Sequence, residues 1–251
     1  MAKDNWRLLI TGPAHGAWNM AVDEAILEEV SRGNSLPTLR LYAWEPPCLS
    51  IGYAQPISNV DLVRLRAYDW ELVRRPTGGR AVLHTDELTY SVIAPSKEPL
   101  VAGTLLESYQ RLAKALVEAL HLLVLPVEVQ EKAVNPAAKN TNPVCFEVPS
   151  AYEITIDGKK LVGSAQARRK EGVLQHGSLP LHGDLTRIVQ VLVYPDETTR
   201  IRAAERLLER ATTIETSLGR SVTWEEAARA FTIAFKSVFD LVLQPAYLTL
   251  T

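Results

Sequence analysis

Residues 74–84 read Arg-Arg-Pro-Thr-Gly-Gly-Arg-Ala-Val-Leu-His. The two arginines end a predicted strand over residues 71–75, and the Pro-Thr-Gly-Gly-Arg segment that follows predicts a turn or loop. Because glycine has no Cβ, the backbone at Gly78 and Gly79 can approach a ligand closely. A hairpin loop with solvated charges explains the same residues, and this stretch alone does not distinguish the two interpretations.

A second glycine-containing stretch, residues 157–166, reads Asp-Gly-Lys-Lys-Leu-Val-Gly-Ser-Ala-Gln. Its Asp-Gly pair predicts a hairpin turn between strands over residues 152–156 and 160–165. Strand alternation places Lys160 and Val162 on one face, and the Gly-Ser-Ala run offers small residues against which a ligand can lie. The alternative for Lys160 is an exposed strand lysine, because lysine side chains are mostly exposed.

A cysteine and a histidine are further candidates. Cys145 stands between two prolines in Pro-Val-Cys-Phe-Glu-Val-Pro, directly after a polar segment, residues 130–143, that predicts a long mobile loop. Core cysteines usually lie inside helix or strand patterns, and this one does not. From these residues alone a packed cysteine is still the more common explanation, with a working thiol as the alternative. His176 lies in a predicted strand over residues 173–181, where a lone histidine is more often structural than catalytic.

Length and composition limit the classes of function. The chain has 251 residues, 47% of them hydrophobic, so it can bury a large core and is not disordered. With 27 basic and 29 acidic residues, the net charge of −2 argues against nucleic acid or a membrane surface as a partner. The polar start and the absence of a run of about 18 apolar residues predict no signal peptide, no transmembrane helix and a cytoplasmic location. The five histidines and two cysteines lack paired ligand spacing, so no metal site is expected.

Helix and strand signals alternate along the chain. The predicted strands cover residues 6–11, 38–44, 48–53, 71–75, 88–94, 152–156, 160–165 and 173–181. The predicted helices cover residues 17–31, 58–68 with Ser58 as N-cap, 105–124, and much of the last third. Thr104 with Glu107 and Thr223 with Glu226 have capping-box spacing. This order predicts an α+β fold with a largely antiparallel sheet flanked by helices, in a single domain over residues 1–251.

Together, these stretches resemble the lipoate-protein ligase and octanoyltransferase superfamily, which shares its catalytic fold with biotin protein ligases. The matching positions are Arg74, Arg75, Gly78, Gly79 and His84, then Gly158, Lys160, Gly163, Ser164 and Ala165, then His176 and Gly177. The resemblance implies a biotin/lipoate protein ligase-like domain with a helical C-terminal third and no separate accessory domain. It also implies that Lys160 is catalytic and that the other matched residues, Gly158 and Gly177 apart, bind substrate.

Within the superfamily, the sequence is most similar to the cysteine-dependent octanoyltransferases of the LipM type. Those proteins carry Cys-Phe shortly before Pro-Ser, as residues 145–146 and 149–150 do here. ATP-dependent lipoate ligases commonly have a third glycine where Arg80 stands. They also have Asp-x-Gly-Asn after the histidine, where residues 85–88 here read Thr-Asp-Glu-Leu.

The resemblance implies transfer of an octanoyl group from acyl carrier protein to a lysine of a lipoyl domain, that of the glycine-cleavage H protein. Cys145 would carry the acyl group as a thioester, and Lys160 would favour its thiolate, polarise the carbonyl or help deprotonate the acceptor amine. No cofactor is expected, and the protein is expected to be a monomer. One alternative is an ATP-dependent lipoate-protein ligase, which would need ATP and Mg²⁺. The other is an amidotransferase that moves octanoyl or lipoyl groups between lipoyl domains.

A strand-face lysine is expected to contribute little to stability, so we expect removal of Lys160 to affect chemistry alone.

Overall fold

The computed structural model describes residues 4–131, 144 and 152–248. The strands are β1 (Asn5–Ala14), β2 (Thr38–Trp44), β3 (Cys48–Ile51), β4 (Glu71–Arg74), β5 (Val82–His84), β6 (Glu87–Pro95), β7 (Glu128–Glu131), β8 (Tyr152–Ile156), β9 (Lys159–Arg168), β10 (Gly172–Pro180) and β11 (Val242–Pro245). The helices are α1 (Gly16–Ser31), α2 (Leu62–Ala67), α3 (Leu105–Leu122), α4 (Glu197–Arg210), α5 (Ile214–Leu218) and α6 (Trp224–Val238). Two 3₁₀ segments lie at Ile57–Asn59 and Leu185–Val191.

Eight strands form the large sheet, in the order β11-β1-β2-β6-β10-β9-β8-β7. Five of its seven strand pairings are antiparallel, which confirms the predicted α+β class and the largely antiparallel sheet. The two parallel pairings join β1 to β2 and to β11. Parallel neighbours need a crossover connection, and α1 makes it between β1 and β2.

Helices α3 and α6 cover one face of the large sheet. Their apolar stripes, which include Leu112 and Leu116 of α3 and Phe231 and Phe235 of α6, are buried against the strands in one cluster. At about 1.5–3 kcal/mol for each large apolar side chain, this layer supplies much of the core's stabilisation. Both predicted capping boxes are present, with Thr104 and Thr223 accepting from the backbone amides of Glu107 and Glu226.

The opposite face of the large sheet packs against α1 and, beyond it, a small sheet with strand order β4-β3-β5. Helices α2 and α4 cover this small sheet through a second apolar cluster. Met20 of α1, Tyr42 and Trp44 of β2, and Cys48 of β3 meet in a buried group where the layers join. The centre of the large sheet is therefore covered on both faces.

Two local predictions differ from the structure. The helix expected over residues 58–68 divides into a 3₁₀ segment and α2, and the N-cap is Asp61 rather than Ser58, because the Asp61 carboxylate accepts from the amide of Arg64 at 3.0 Å. The loop expected over residues 130–143 begins inside β7, since residues 130 and 131 are paired with β8. Residues 132–143, on which the prediction of mobility falls, lie outside the described residues.

Within the described part of the chain, no helix is both long enough and apolar enough to cross a bilayer.

Candidate active site

A cavity of about 380 Å³, part of it open to solvent, lies where the large sheet, the small sheet and α1 meet. Its walls include Met20 of α1 and Trp44 of β2, which supply apolar surface. Six residues that the sequence proposed as a site line this cavity: Arg75, His84, Gly163, Ser164, Ala165 and His176. They come from three separate stretches of sequence, so the fold brings the separated motifs to one place.

Strand register explains the small residues on one wall. In the β9–β10 pair, Ser164 lies opposite Gly177, and Ala165 lies opposite His176. A Cβ at Gly177 would come within 2.5 Å of the Tyr90 ring and 2.8 Å of Ser164 Oγ, so only glycine fits there. The Tyr90 hydroxyl is 2.8 Å from Ser164 Oγ, and burial raises the pKa of Tyr90 to about 12, which keeps the phenol protonated.

A chain of hydrogen bonds crosses the cavity wall from β3 to β6. Ser50 Oγ lies 2.8 Å from His84 Nε2, and His84 Nδ1 lies 2.7 Å from Glu87 Oε1. The Arg75 guanidinium donates to Ser50 Oγ at 3.0 Å. Burial acts to raise the pKa of the Glu87 carboxyl, but the His84 charge and hydrogen bonds from His84, Ser178 and Thr89 outweigh it and lower that pKa. Glu87 is therefore ionised at neutral pH.

His176 belongs to a second buried network. Its Nε2 lies 2.6 Å from Thr77 Oγ1, in the loop between the small-sheet strands, and its Nδ1 lies 3.6 Å from Asp23 Oδ2. The Asp23 carboxylate also pairs with Arg40 at 2.8 Å and accepts from the Tyr42 hydroxyl at 3.0 Å. Burial lowers the pKa of His176, although Asp23 acts in the opposite direction. This network ties α1 and β2 to the loop over residues 75–81 between β4 and β5, the arginine-glycine loop.

Arg74, Gly78 and Gly79 lie outside the cavity lining and shape the loop instead. The half-exposed Arg74 donates from Nη1 to the carbonyls of Gly52, Tyr53 and Gln55, each at 2.8 Å. Gly79 has φ 92°, a conformation that favours glycine. The close backbone approach expected at these glycines is made to the protein itself, because a Cβ at Gly52 would lie 2.1 Å from the Gly79 carbonyl oxygen.

Lys160 is not the exposed lysine that strand alternation allows. It is 5% exposed, and its Nζ lies 3.1 Å from Oε1 of Glu153, which is equally buried. This burial removes the basis for expecting that loss of Lys160 costs little stability, and we predict a substantial cost instead, because Glu153 would lose this partner. Lys160 is buried because a distant part of the chain packs against β9. The residue after α4, Ala211, forms a backbone bridge with Lys160.

Cys145 lies outside the described residues, so its geometry is not part of this site. Val144, the residue before it in sequence, is buried and forms a parallel bridge with Ala81, next to β5. The other cysteine, Cys48, is fully buried in the Met20–Trp44 group. Burial raises the pKa of the Cys48 thiol strongly, with Glu71 and Glu87 adding to the effect, so this thiol stays protonated.

The arrangement of these motifs agrees with a known catalytic domain. The family profile of the lipoyl protein ligase A/B catalytic domain matches residues 15–236. The chain belongs to this family. The match covers the cavity, the small sheet, six of the eight strands of the large sheet and all four predicted motifs.

Relatives in the lipoyl protein ligase A/B family match nearly the whole chain. Octanoyltransferase LipM of Moorella thermoacetica is 47% identical over 239 residues, covering 92% of this chain and 87% of that protein. Octanoyltransferase LipM of Oceanobacillus iheyensis is 39% identical over 248 residues, covering 98% and 90%.

Solved structures confirm the biotin/lipoate ligase-like fold. A bi-partite lipoate protein ligase from Thermoplasma acidophilum superposes with TM-score 0.76 at 26% identity, covering 98% of this chain and 88% of that one. A lipoate-protein ligase A bound with ATP gives TM-score 0.75 at 26% identity, covering 99% and 90%.

Sequence reasoning missed Ser50, Glu87 and Asp23. Glu87 stands three residues after His84, a spacing that was read only as a departure from the ATP-dependent ligases. Asp23 interrupts the apolar stripe of α1, which is a detectable signal of a buried charge. Ser50 carries no comparable signal in the sequence.

Proposed function

We propose that this chain is an octanoyltransferase of lipoate biosynthesis that uses a thioester on Cys145. In this proposal, octanoyl-acyl carrier protein is the donor, and a lysine of a lipoyl domain, that of the glycine-cleavage H protein, is the acceptor. The octanoyltransferase class follows from full-length relatives that carry this name. For this chain, the proposal rests on the cavity, where residues of the family motifs line one partly apolar space.

The cavity has the chemistry that an octanoyl thioester requires. Met20, Trp44 and Val82 give apolar contact, while Arg75 and His84 give a polar end. At about 0.8 kcal/mol for each buried CH₂, an eight-carbon chain gains several kcal/mol by entering such a space. Gly163 and Ala165 give the opposite wall, on β9, small side chains or none.

Two observations support Cys145 as the acyl carrier. Val144, to which Cys145 is bonded, is buried beside Ala81 and so ties this part of the chain to the strand that carries His84. Cys48, the only other cysteine of the sequence, has a buried thiol with a raised pKa, which makes it a poor nucleophile. Cys145 would attack the donor thioester, release the carrier thiol and later pass the acyl group to the acceptor amine.

Lys160 keeps a catalytic role in this proposal. The Gly-x-Lys-x-x-Gly-Ser-Ala motif supports the role, and burial strengthens the action of its charge on neighbouring groups. A cation near the sulfur would favour the thiolate over the thiol. Thioester exchange onto Cys145 is close to balanced in free energy, and amide formation is downhill, so the second step gives the reaction its direction.

An ATP-dependent lipoate ligase is the second candidate, because the solved structures with TM-scores of 0.75 and 0.76 are ligases. The two candidates differ in their need for a cofactor. A thioester donor is already activated, so the octanoyltransferase requires neither ATP nor a metal ion. A ligase would require ATP and Mg²⁺ together with the free acid.

The test is intact-protein mass spectrometry after incubation with octanoyl-acyl carrier protein in the absence of ATP. We expect the enzyme to gain one octanoyl group, and to lose it to H protein added afterwards. A chain that acylates H protein only with ATP and free octanoate is a ligase. A chain that accepts octanoyl only from an octanoylated lipoyl domain is an amidotransferase.

Gly52 offers a test of the arginine-glycine loop. In Gly52→Ala, the new Cβ would lie 2.1 Å from the Gly79 carbonyl oxygen, so the loop must shift. Because misplacement by about 1 Å can cost about 10²-fold in rate, we expect kcat/KM for octanoyl transfer to fall by about that factor. Gly12→Ala is the matched control, since nothing lies within 4 Å of a Cβ there. Equal activity in both variants would show that the loop does not position reacting groups.

A further inference from the structure

The second step of the reaction needs a proton acceptor. A lysine side chain has a pKa of about 10.4, so at neutral pH the acceptor amine is almost entirely protonated and not nucleophilic. One proton must leave before nitrogen attacks the acyl carbon. A second leaves the nitrogen as the amide forms and can be taken by the departing Cys145 sulfur. The first proton needs a base in the protein.

The hydrogen-bond chain on the cavity wall joins Ser50, His84 and Glu87. Arg75 has only donors, so Ser50 Oγ accepts from it, and the Ser50 hydroxyl keeps a proton that it can donate to His84 Nε2, 2.8 Å away. At the other end, the ionised Glu87 has only acceptors, so His84 Nδ1 carries the proton that points to it. In the tautomer with its proton on Nδ1, His84 presents Nε2 as a base that faces the Ser50 hydroxyl.

We infer that Ser50, His84 and Glu87 form a proton relay that receives the first proton of the acceptor lysine. The N–H bond of the ammonium breaks, a new O–H bond forms on Ser50, and the original Ser50 proton moves to His84 Nε2. The products are a neutral amine and an imidazolium paired with the Glu87 carboxylate. This inference rests on the proposed function, because it concerns the second step of that reaction.

The surroundings of His84 suit a transient positive charge. The indole of Trp44 stacks on the imidazole at 4.0 Å between ring centroids and 10° between planes, which stabilises a cation. Within the described part of the chain, the Glu87 carboxylate contacts His84 and the hydroxyls of Thr89 and Ser178, with no arginine or lysine to offset its charge. The other titratable groups around His84 are Arg75, His176 and the neighbouring Cys48 thiol.

The other two candidate bases are less suited to this step. Lys160 is paired with Glu153, and it is not among the residues that line the cavity. His176 faces Thr77, and its carboxylate partner Asp23 is already paired with Arg40. The Glu87 carboxylate can therefore stabilise a positive charge on His84. The Asp23 carboxylate already balances the charge of Arg40, so it stabilises a positive charge on His176 less.

The experiment separates deprotonation from the rest of catalysis. Octanoyl-enzyme is prepared with octanoyl-acyl carrier protein, freed of donor, and mixed with either H protein or hydroxylamine at pH 7. Hydroxylamine is already neutral at this pH and needs no base to become nucleophilic. In Glu87→Gln, the amide oxygen still accepts from His84 while the charge is lost, so the geometry remains and the imidazolium is no longer stabilised. Ser50→Ala interrupts the relay at the other end.

We expect both variants to transfer octanoyl to H protein about 10²-fold more slowly than wild type and to react with hydroxylamine nearly as fast as wild type. The deficit with H protein should shrink as the pH rises towards 9, because a larger fraction of the acceptor lysine is then already neutral. Glu209→Gln, the same change at an exposed position on α4, is the matched control.

Equal slowing with both acceptors would overturn the relay and make these residues structural. Unchanged transfer to H protein would overturn it as well. Absence of octanoyl-enzyme in the wild type would instead overturn the proposed function. If Glu87→Gln fails to load, transfer by Ser50→Ala decides the question.

Discussion

Cys145→Ala is expected to lose all measurable octanoyl transfer and all octanoyl-enzyme. Without the sulfur, the acyl group has no covalent carrier, and direct attack by the acceptor lysine on the carrier thioester would lack the groups that position the enzyme-bound acyl chain. The measurement is intact mass after incubation with octanoyl-acyl carrier protein, together with the rate at which H protein gains octanoyl.

Cys48→Ala is the matched control for this change. Its thiol lies in the core with a raised pKa, so we expect the variant to keep the octanoyl mass increase even if the core loses some stability. An octanoyl group that persists in Cys145→Ala and disappears in Cys48→Ala would reverse the assignment. Full activity of Cys145→Ala with ATP and free octanoate would establish a ligase.

Lys160→Ala is expected to destabilise the fold as well as reduce activity. Removing one member of a buried ion pair takes away the counter-charge of the other, which typically costs about 3–5 kcal/mol. For a chain of this size, about 1 kcal/mol lowers Tm by roughly 2–4 °C, so the fall should be on the order of 10 °C. Thermal unfolding followed by circular dichroism measures it.

Two further variants separate charge from packing at this position. Lys159→Ala removes the neighbouring lysine, which is more exposed, so we expect a loss of about 1 kcal/mol or less. Lys160→Met combined with Glu153→Gln removes both charges and keeps most of the volume, so it should recover much of the lost stability. If that double variant is stable and inactive, the charge of Lys160 serves the chemistry. If it is stable and active, Lys160 is structural.

Local sequence patterns were sufficient to predict the elements whose contacts are close in sequence. The capping boxes at Thr104 and Thr223, and the helices α3 and α6 that they begin, are present where they were expected. The hairpin at Asp157 and Gly158 also lies as predicted, because an Asp-Gly pair favours the turn that both residues adopt with positive φ. In these places, local preference and the final fold agree.

Buried polar contacts between distant segments could not be predicted in this way. Residues 38–44 were predicted only as a strand, yet Arg40 within it is fully buried because α1 covers that face of β2 and Asp23 pairs with it. Lys160 is buried for a related reason, since the chain near Ala211 returns to β9. A single strand pattern does not reveal a layer supplied by another part of the chain.

The candidate site was predicted only in part, because contacts between segments that are distant in sequence leave no signal in a local pattern. The resemblance identified Arg75, His84 and His176, which line the cavity, but gave no indication of their partners. Ser50 is 34 residues from His84 in sequence, and their contact exists because β3 and β5 are neighbours in the small sheet. Motif recognition therefore predicts which residues meet a ligand more readily than it predicts which residues orient them.

The Asp23 carboxylate contacts groups from β2, β6 and β10, and through His176 it reaches the arginine-glycine loop. Because one buried carboxylate contacts all these elements, local unfolding of any of them would break its contacts and expose its charge to solvent. These elements are therefore expected to unfold together. Amide hydrogens of β2, β6 and β10 should then exchange with solvent only through global unfolding. The cavity wall cannot melt on its own, and loss of the binding site on heating should coincide with loss of the whole fold.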